Sequence, residues 1–158
     1  MLAQYLKKYV DKLPANTLRR LGNLWLPFFG AGIKIVSIAD DYRKIHVRMK
    51  LRWYNRNYVG THFGGSIYAM TDPFYMIMLI NNLGRDYIVW DKGASIDFLK
   101  PGRDTLNVYF SLTDELLSEI KERVDSEGKY TVEIPVNVVT DKNKSIALVN
   151  KKIYVRCK

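Results

Sequence analysis

Between residues 44 and 53 the chain alternates with little interruption: Ile45, Val47, Met49, Leu51 and Trp53 fall on one side of an extended strand, Lys44, His46, Arg48, Lys50 and Arg52 on the other. A period of two marks a half-buried strand, so the pattern predicts a strand over residues 42–53 with its first row on a core. Shorter runs predict strands over residues 33–38, 87–99 and 146–155, and two more where Leu106, Val108, Phe110 and Leu112, then Val132, Ile134, Val136 and Val138, alternate. Helical spacing is seen elsewhere. Leu2, Tyr5, Leu6, Tyr9, Val10 and Leu13 predict an amphipathic helix over residues 2–13, and a short helix follows Pro14 to about Leu24, before Gly30 and Gly32 break the chain. Leu116, Leu117, Ile120 and Val124 predict a surface helix over residues 113–124, closed by Gly128.

One stretch fits neither amphipathic pattern. Residues 57–83 join a glycine-rich turn (Gly60, Gly64, Gly65) to a segment that is apolar on nearly every side, which requires enclosure by other elements. The order of elements is helices, two strands, an enclosed helix, then four strands with one helix inserted. Adjacent strands joined by short turns favour an antiparallel sheet, so the pattern predicts an α+β domain whose sheet wraps a central helix. No repeat, linker or low-complexity tract is visible, and we expect one domain over residues 1–158 with an N-terminal helical extension over about 1–29.

Composition narrows this reading. A chain of 158 residues with 47% hydrophobic content is an ordinary globular protein, and 13% aromatic content suits packed walls or an interface. The single cysteine, Cys157, rules out an internal disulfide and a cysteine-rich metal site. No secretory signal is apparent, since lysines and an aspartate interrupt the first 13 residues, and the longest apolar run is broken by Asp72-Pro73. These features predict a cytoplasmic protein. The net charge of +9 lies wholly in residues 1–60, which hold 12 Lys/Arg against 3 Asp/Glu. The basic row of residues 44–52 has no interleaved aromatics, so a solvated face is preferred to a nucleic-acid groove. For the basic N-terminal stripe, packing on its own domain is preferred to peripheral membrane contact.

The candidate chemistry lies in the central stretch. Asp72 is its one acidic side chain between Tyr58 and Asn81, and a carboxylate there is costly unless something uses or satisfies it. Two structural readings also fit: Asp72 as an N-cap with Pro73 at the first helical position, or a continuous helix kinked at Pro73.

The spacing Asn57-x-x-Gly60-x-x-x-Gly64-Gly65, with Asp72 eight residues after Gly64, resembles the motif of hotdog-fold thioesterases of the phenylacetyl-coenzyme A type. Residues 93–102 are similar to the strand and turn that follow the central helix in that superfamily, and residues 60–92 resemble a branch known mainly as a domain of unknown function. The resemblance implies a hotdog fold over roughly residues 30–156. It implies Asp72 as nucleophile or general base, the Gly64 amide as donor to the thioester carbonyl, and Asn57 as the residue that places water or substrate. Thr61, His62, Phe63 and Gly65 become substrate-binding candidates. The implied substrate is an acyl-CoA or acyl-carrier thioester, with coenzyme A entering as substrate rather than cofactor and with no metal. Members form dimers or dimers of dimers, the glycine turn of one subunit facing the carboxylate of the other. The sequence departs from the pattern in one place: Phe63 stands where the family commonly has His, and His62 is one position earlier. A domain that keeps the acyl pocket without the chemistry is therefore the alternative reading.

Overall fold

The structure, a computed structural model, describes residues 13–158; nearly all of the helix expected over residues 2–13 lies outside them. Six strands form one sheet: β1 (Ile33–Ile38), β2 (Lys44–Met49), β3 (Tyr87–Phe98), β4 (Leu106–Ser111), β5 (Lys129–Thr140) and β6 (Ser145–Cys157). Their order is β1-β2-β4-β5-β6-β3, and every neighbouring pair is antiparallel. Between β2 and β3 the chain forms two short helices, α3 (Gly64–Ala69) and α4 (Phe74–Leu83). Phe74, Tyr75, Met78, Leu79 and Leu83 of α4 are buried in one core with Val47, Met49, Val108, Val138, Val149 and Ile153 of the sheet. Alternation in the strands thus presents one apolar face, and the apolar α4 fills it.

The strand expected over residues 42–53 stops at Met49, and the residues that followed the pattern beyond it do not enter the core. Met49 is the last residue of β2 paired with either neighbour, opposite Ile33 of β1 and Leu106 of β4. The buried Asn55 then draws the chain into a loop, donating to the Lys50 and Ala31 carbonyls and accepting from the Arg52 amide. With no ladder to hold the alternation, Trp53 is 81% exposed.

At the N-terminal end, α1 (Ala15–Leu24) ends close to its expected limit, and α2 (Leu26–Ala31) is an additional helix, with Pro27 near its start and Gly32 in the left-handed conformation after it. Asn23 fastens α1 to the edge strand, its side chain exchanging hydrogen bonds with the Ile35 carbonyl (3.0 Å) and amide (2.7 Å). The surface helix α5 (Asp114–Glu127) begins at Thr113, whose hydroxyl accepts from the Leu116 amide. It ends at Gly128, whose φ of 73° a residue with a side chain rarely adopts.

The central helical segment is broken rather than continuous. Residues 70–73 lie outside both helices, the Asp72–Pro73 peptide is cis, and Pro73 flanks the start of α4 without a side-chain cap. Thr71 turns its hydroxyl back to the Tyr68 carbonyl (2.7 Å) and closes the first helix. Neither the N-cap nor the kink expected for Asp72 describes this turn.

Candidate functional site

The glycine turn is held from within. The Asn57 side chain accepts from the Val59 and Thr61 amides (3.1 and 2.9 Å) and donates to the Thr61 hydroxyl (2.8 Å) and His62 carbonyl (3.3 Å). Both its donors and its acceptor are therefore committed to shaping residues 57–62. Thr61 is buried in this network.

His62 is 2% exposed and joins the turn to the loop after β3: its amide donates to the Gly102 carbonyl (2.9 Å), and its Nε2 lies 2.9 Å from the Asp104 carbonyl. A carbonyl only accepts, so Nε2 carries the proton and Nδ1 is a buried lone-pair nitrogen without a hydrogen-bond partner among the described residues. Burial lowers the pKa of this imidazole, against the opposing pull of the Asp104 carbonyl, and keeps it neutral near pH 7.

Gly64 and Gly65 begin α3, where amides have no carbonyl one turn earlier to donate to. Phe98 covers Gly64 so closely that a Cβ there would lie 2.9 Å from its ring. Phe63, 56% exposed, lies over Gly65. A cleft of about 400 Å³ opens here, walled by Asn57, Thr61, His62, Gly64, Phe98 and Pro101 among others. The structure thus gathers six of the seven sequence candidates around one turn, with Phe63 turned outward.

Asp72, the seventh, stands apart at the other end of α3. Its Oδ1 accepts a 2.9 Å hydrogen bond from Lys151 Nζ, and the Lys151 side chain is fully buried. On its other side the ammonium lies 2.6 Å from Asp91 Oδ2, a close ionic contact without hydrogen-bond alignment, and the Tyr68 ring stands 5.2 Å away. The two carboxyl groups meet through one ammonium, and each perturbs the proton affinity of the other. Two carboxylates and one lysine thus form a compact charged group at the break in the central segment.

Local structure explains why these three meet. Lys151 belongs to the inward row of β6, with Ala147, Val149, Ile153 and Val155. Its neighbours across the sheet are Ala94 of β3 and Ile134 of β5. On β3 a bulge between Asp91 and Gly93 places Asp91 opposite Ile153 and Ala94 opposite Lys151. Residues three apart would otherwise face opposite sides, and the extra residue brings both onto the side that carries Lys151.

The environment separates the two carboxyl groups. Burial would raise the pKa of Asp72, but its interaction with Asp91, the hydrogen bond from Lys151 and the lysine's charge outweigh it and hold Asp72 below its ordinary value. Burial and then the Asp72 carboxyl push Asp91 up to about 6 against the pull of Lys151. The Asp91 side chain is 16% exposed and that of Asp72 42%, so an anion is better hydrated on Asp72 and a proton better placed on Asp91. Burial disfavours the Lys151 ammonium, yet both carboxylates together raise its pKa.

Sequence reasoning passed over Asp91 and Lys151. Lys151 carried a signal, since it occupies an inward position in an otherwise apolar alternation. Asp91 carried none, because its facing depends on the bulge. Among the described residues no group of three or more His, Cys, Asp and Glu could hold a metal ion, and no helix is long and apolar enough to cross a membrane.

Comparison with solved structures gives the fold. A Pseudomonas aeruginosa protein, described as of unknown function and a "probable thioesterase", superposes with a TM-score of 0.80 at 15% identity, over 92% of this chain and 97% of that one. A "putative thioesterase" from Shewanella oneidensis gives 0.65 at 25% identity over 91% and 97%. The PaaI protein of the E. coli phenylacetic acid degradation operon gives 0.57 at 17% identity over 88% and 89%. A search of curated proteins returned no match. The antiparallel sheet packed on its central helical segment is the hotdog fold of these structures. A family model, "Domain of unknown function (DUF4442)", matches residues 16–155, nearly the whole described chain, and the protein belongs to that family.

Proposed function

We propose that this protein hydrolyses an acyl thioester, carried on coenzyme A or an acyl-carrier protein, with Asp72 as the general base. The observation that carries the reading is the setting of Asp72. Its side chain caps no helix and is instead held ionised, and partly open to solvent, by a lysine with no exposure of its own. A structural lysine at that depth is expensive, and strongly perturbed charged groups of this kind concentrate where chemistry is done.

Asp72 takes a proton from water. The resulting hydroxide adds to the thioester carbonyl carbon, the intermediate oxyanion is met by a backbone amide, and collapse breaks the C–S bond. The proton leaves on the thiolate, giving carboxylic acid and free thiol. Gly64 is our candidate for the amide donor. It begins α3 and Asp72 follows that helix, and six helical residues rise roughly 9 Å, too far for both to reach one carbonyl group in a single chain. The reading therefore includes a homodimer in which Gly64 of one copy meets Asp72 of the other. The long edge strand β3 suits such pairing, since it carries exposed Trp90 and Phe98 along a ladder that is unpaired among the described residues. Asn57 holds the turn that presents Gly64, Thr61 and His62 line the substrate cleft beside it, and Gly65 follows Gly64 in the first turn of α3.

The assay is release of free thiol from acyl-coenzyme A substrates of short, medium, long and aromatic chains. Asp72→Asn is expected to abolish release while leaving the fold intact; absence of turnover across the whole series in the unaltered protein refutes the proposal. One observation favours a non-catalytic acyl binder: a separate, almost wholly apolar cavity of about 460 Å³ lies between α1, β1 and α4, walled by Leu18, Leu21, Trp25, Ile35 and Phe74. In that case a fatty acid raises the melting temperature equally in the unaltered protein and in Asp72→Asn, and no thiol appears.

A further inference from the structure

We infer that Asp91 is the proton-holding partner of Asp72: the two carboxyl groups, joined over the buried Lys151 ammonium, act as one base in which Asp72 meets the substrate water and Asp91 keeps the proton. The inference rests on the thioesterase reading and names a positioning residue that the family motif at Asn57, Gly64 and Asp72 does not contain.

The argument begins with charge. One carboxylate neutralises one ammonium, so a purely structural ion pair has no use for a second anion. Here Lys151 is fully buried and has a carboxylate oxygen on each side, at 2.9 Å from Asp72 and 2.6 Å from Asp91. With all three ionised the group carries one negative charge too many for its setting; one added proton makes it neutral. Among the described residues, the groups that face this centre are Asp72 from the helix break, Asp91 from β3, Lys151 from β6 and the Tyr68 ring from α3. Ala94 and Ile134, beside Lys151 on the adjoining strands, bring no charge. The proton accepted is therefore shared between the two carboxyl groups, and the drier of them is its better host. Asp91 meets that description, and its pKa of about 6 agrees with it.

In the proposed reaction the water proton passes to Asp72 and on to Asp91 through the ammonium that touches both, Lys151 giving one proton to Asp91 as it takes one from Asp72, so that Asp72 is an anion while the tetrahedral intermediate exists. On collapse the proton returns by the same path and ends on the departing thiolate. No oxidant, metal or further reactant is required, and both carboxylates finish as they began.

The test joins a pH profile to a titration of the free protein. In the unaltered protein kcat/KM should rise with pH through about 6, as the pair gives up its proton. Asp91→Asn leaves Asp72 beside Lys151 alone, so the acid limb should move down by more than one pH unit and the rate at pH 7 should fall about tenfold or more. Asp91→Glu, which restores a carboxyl group, should return the limb towards its original place. A variant that loses rate with its limb unmoved shows a merely structural Asp91 and overturns the inference. Carbon-13 detection of the aspartate carboxyl groups gives a reading independent of turnover: one should titrate near pH 6 in the unaltered protein and none in that range in Asp91→Asn. If none titrates between pH 5 and 7 in the unaltered protein, the shared proton does not exist and the inference fails, whatever thioester is hydrolysed. If the titration is present and no thioester is turned over, the thioesterase reading fails, and the catalytic use of the pair with it.

Discussion

Replacing Lys151 with methionine isolates the energetic role of the charged group. Methionine keeps most of the buried stem and removes the ammonium, leaving two carboxyl groups with no cation between them. Removing one member of a buried ion pair typically costs about 3–5 kcal/mol. The Asp72 side chain is 42% exposed and recovers solvation from water, so its share is that of a surface pair, below about 1 kcal/mol. Most of the loss falls on Asp91, 16% exposed, and the expected destabilisation at pH 8 is about 3 kcal/mol, the low end of the range. The loss should depend on pH. Without the lysine, burial and mutual repulsion hold the pair's proton affinity above that of the unfolded chain. The native state then binds more protons than the unfolded state, and stability is lost as pH rises through the native pKa and regained below it. Each unit by which that pKa is raised is worth about 1.4 kcal/mol, so Lys151→Met should recover at least that much between pH 8 and pH 5. Urea unfolding of both proteins at the two pH values measures this. A penalty under about 1 kcal/mol at pH 8, or one that is the same at pH 5, would refute the account of Lys151 as the buried counter-ion of both carboxylates.

Two further substitutions bear on the turn and on the fold. Asn57→Ala removes four side-chain hydrogen bonds within residues 57–62 and should cost about 1–2 kcal/mol by thermal unfolding. Under the proposed function it should also lower kcat/KM without moving the acid limb, since Asn57 does not touch Asp72's partners; a shifted limb would contradict that separation. Trp53→Ser should change stability by no more than about 0.5 kcal/mol in the same measurement, because the side chain lies in water beyond the end of β2. A loss of several kcal/mol would restore Trp53 to the core row that the alternation implied.

Most of the fold was legible because its strands and surface helix repeat with periods that sequence displays directly. Ile33–Ile38 is a strand at the expected bounds, Leu106, Val108 and Phe110 face the core as their alternation requires, and Thr113 and Gly128 flank α5. The failures share a cause. Alternation through Trp53 gives no notice that the neighbouring strands end at Met49, and α2 is too short for its period to be recognised. Of the site, the glycine turn could be located because tight turns and helix starts have local residue requirements, while Asn57, Thr61 and His62 are attached to it by the family resemblance. The counter-ion of Asp72 lies 79 residues further along the chain, and local patterns do not extend that far.

The sequence by itself determined the faces: which strand rows are apolar, that one helical segment must be enclosed, and that a single carboxylate lies in that segment. These follow from the separation of apolar and polar surface, which each residue carries independently of its partners. Tertiary structure alone decided what becomes of that carboxylate. A bulge on β3 and an inward lysine on β6 converge on Asp72, and their arrangement lowers the proton affinity of one carboxyl group and raises that of the other. Electrostatic interaction depends on distance and burial in three dimensions, and neither quantity exists until the sheet has formed.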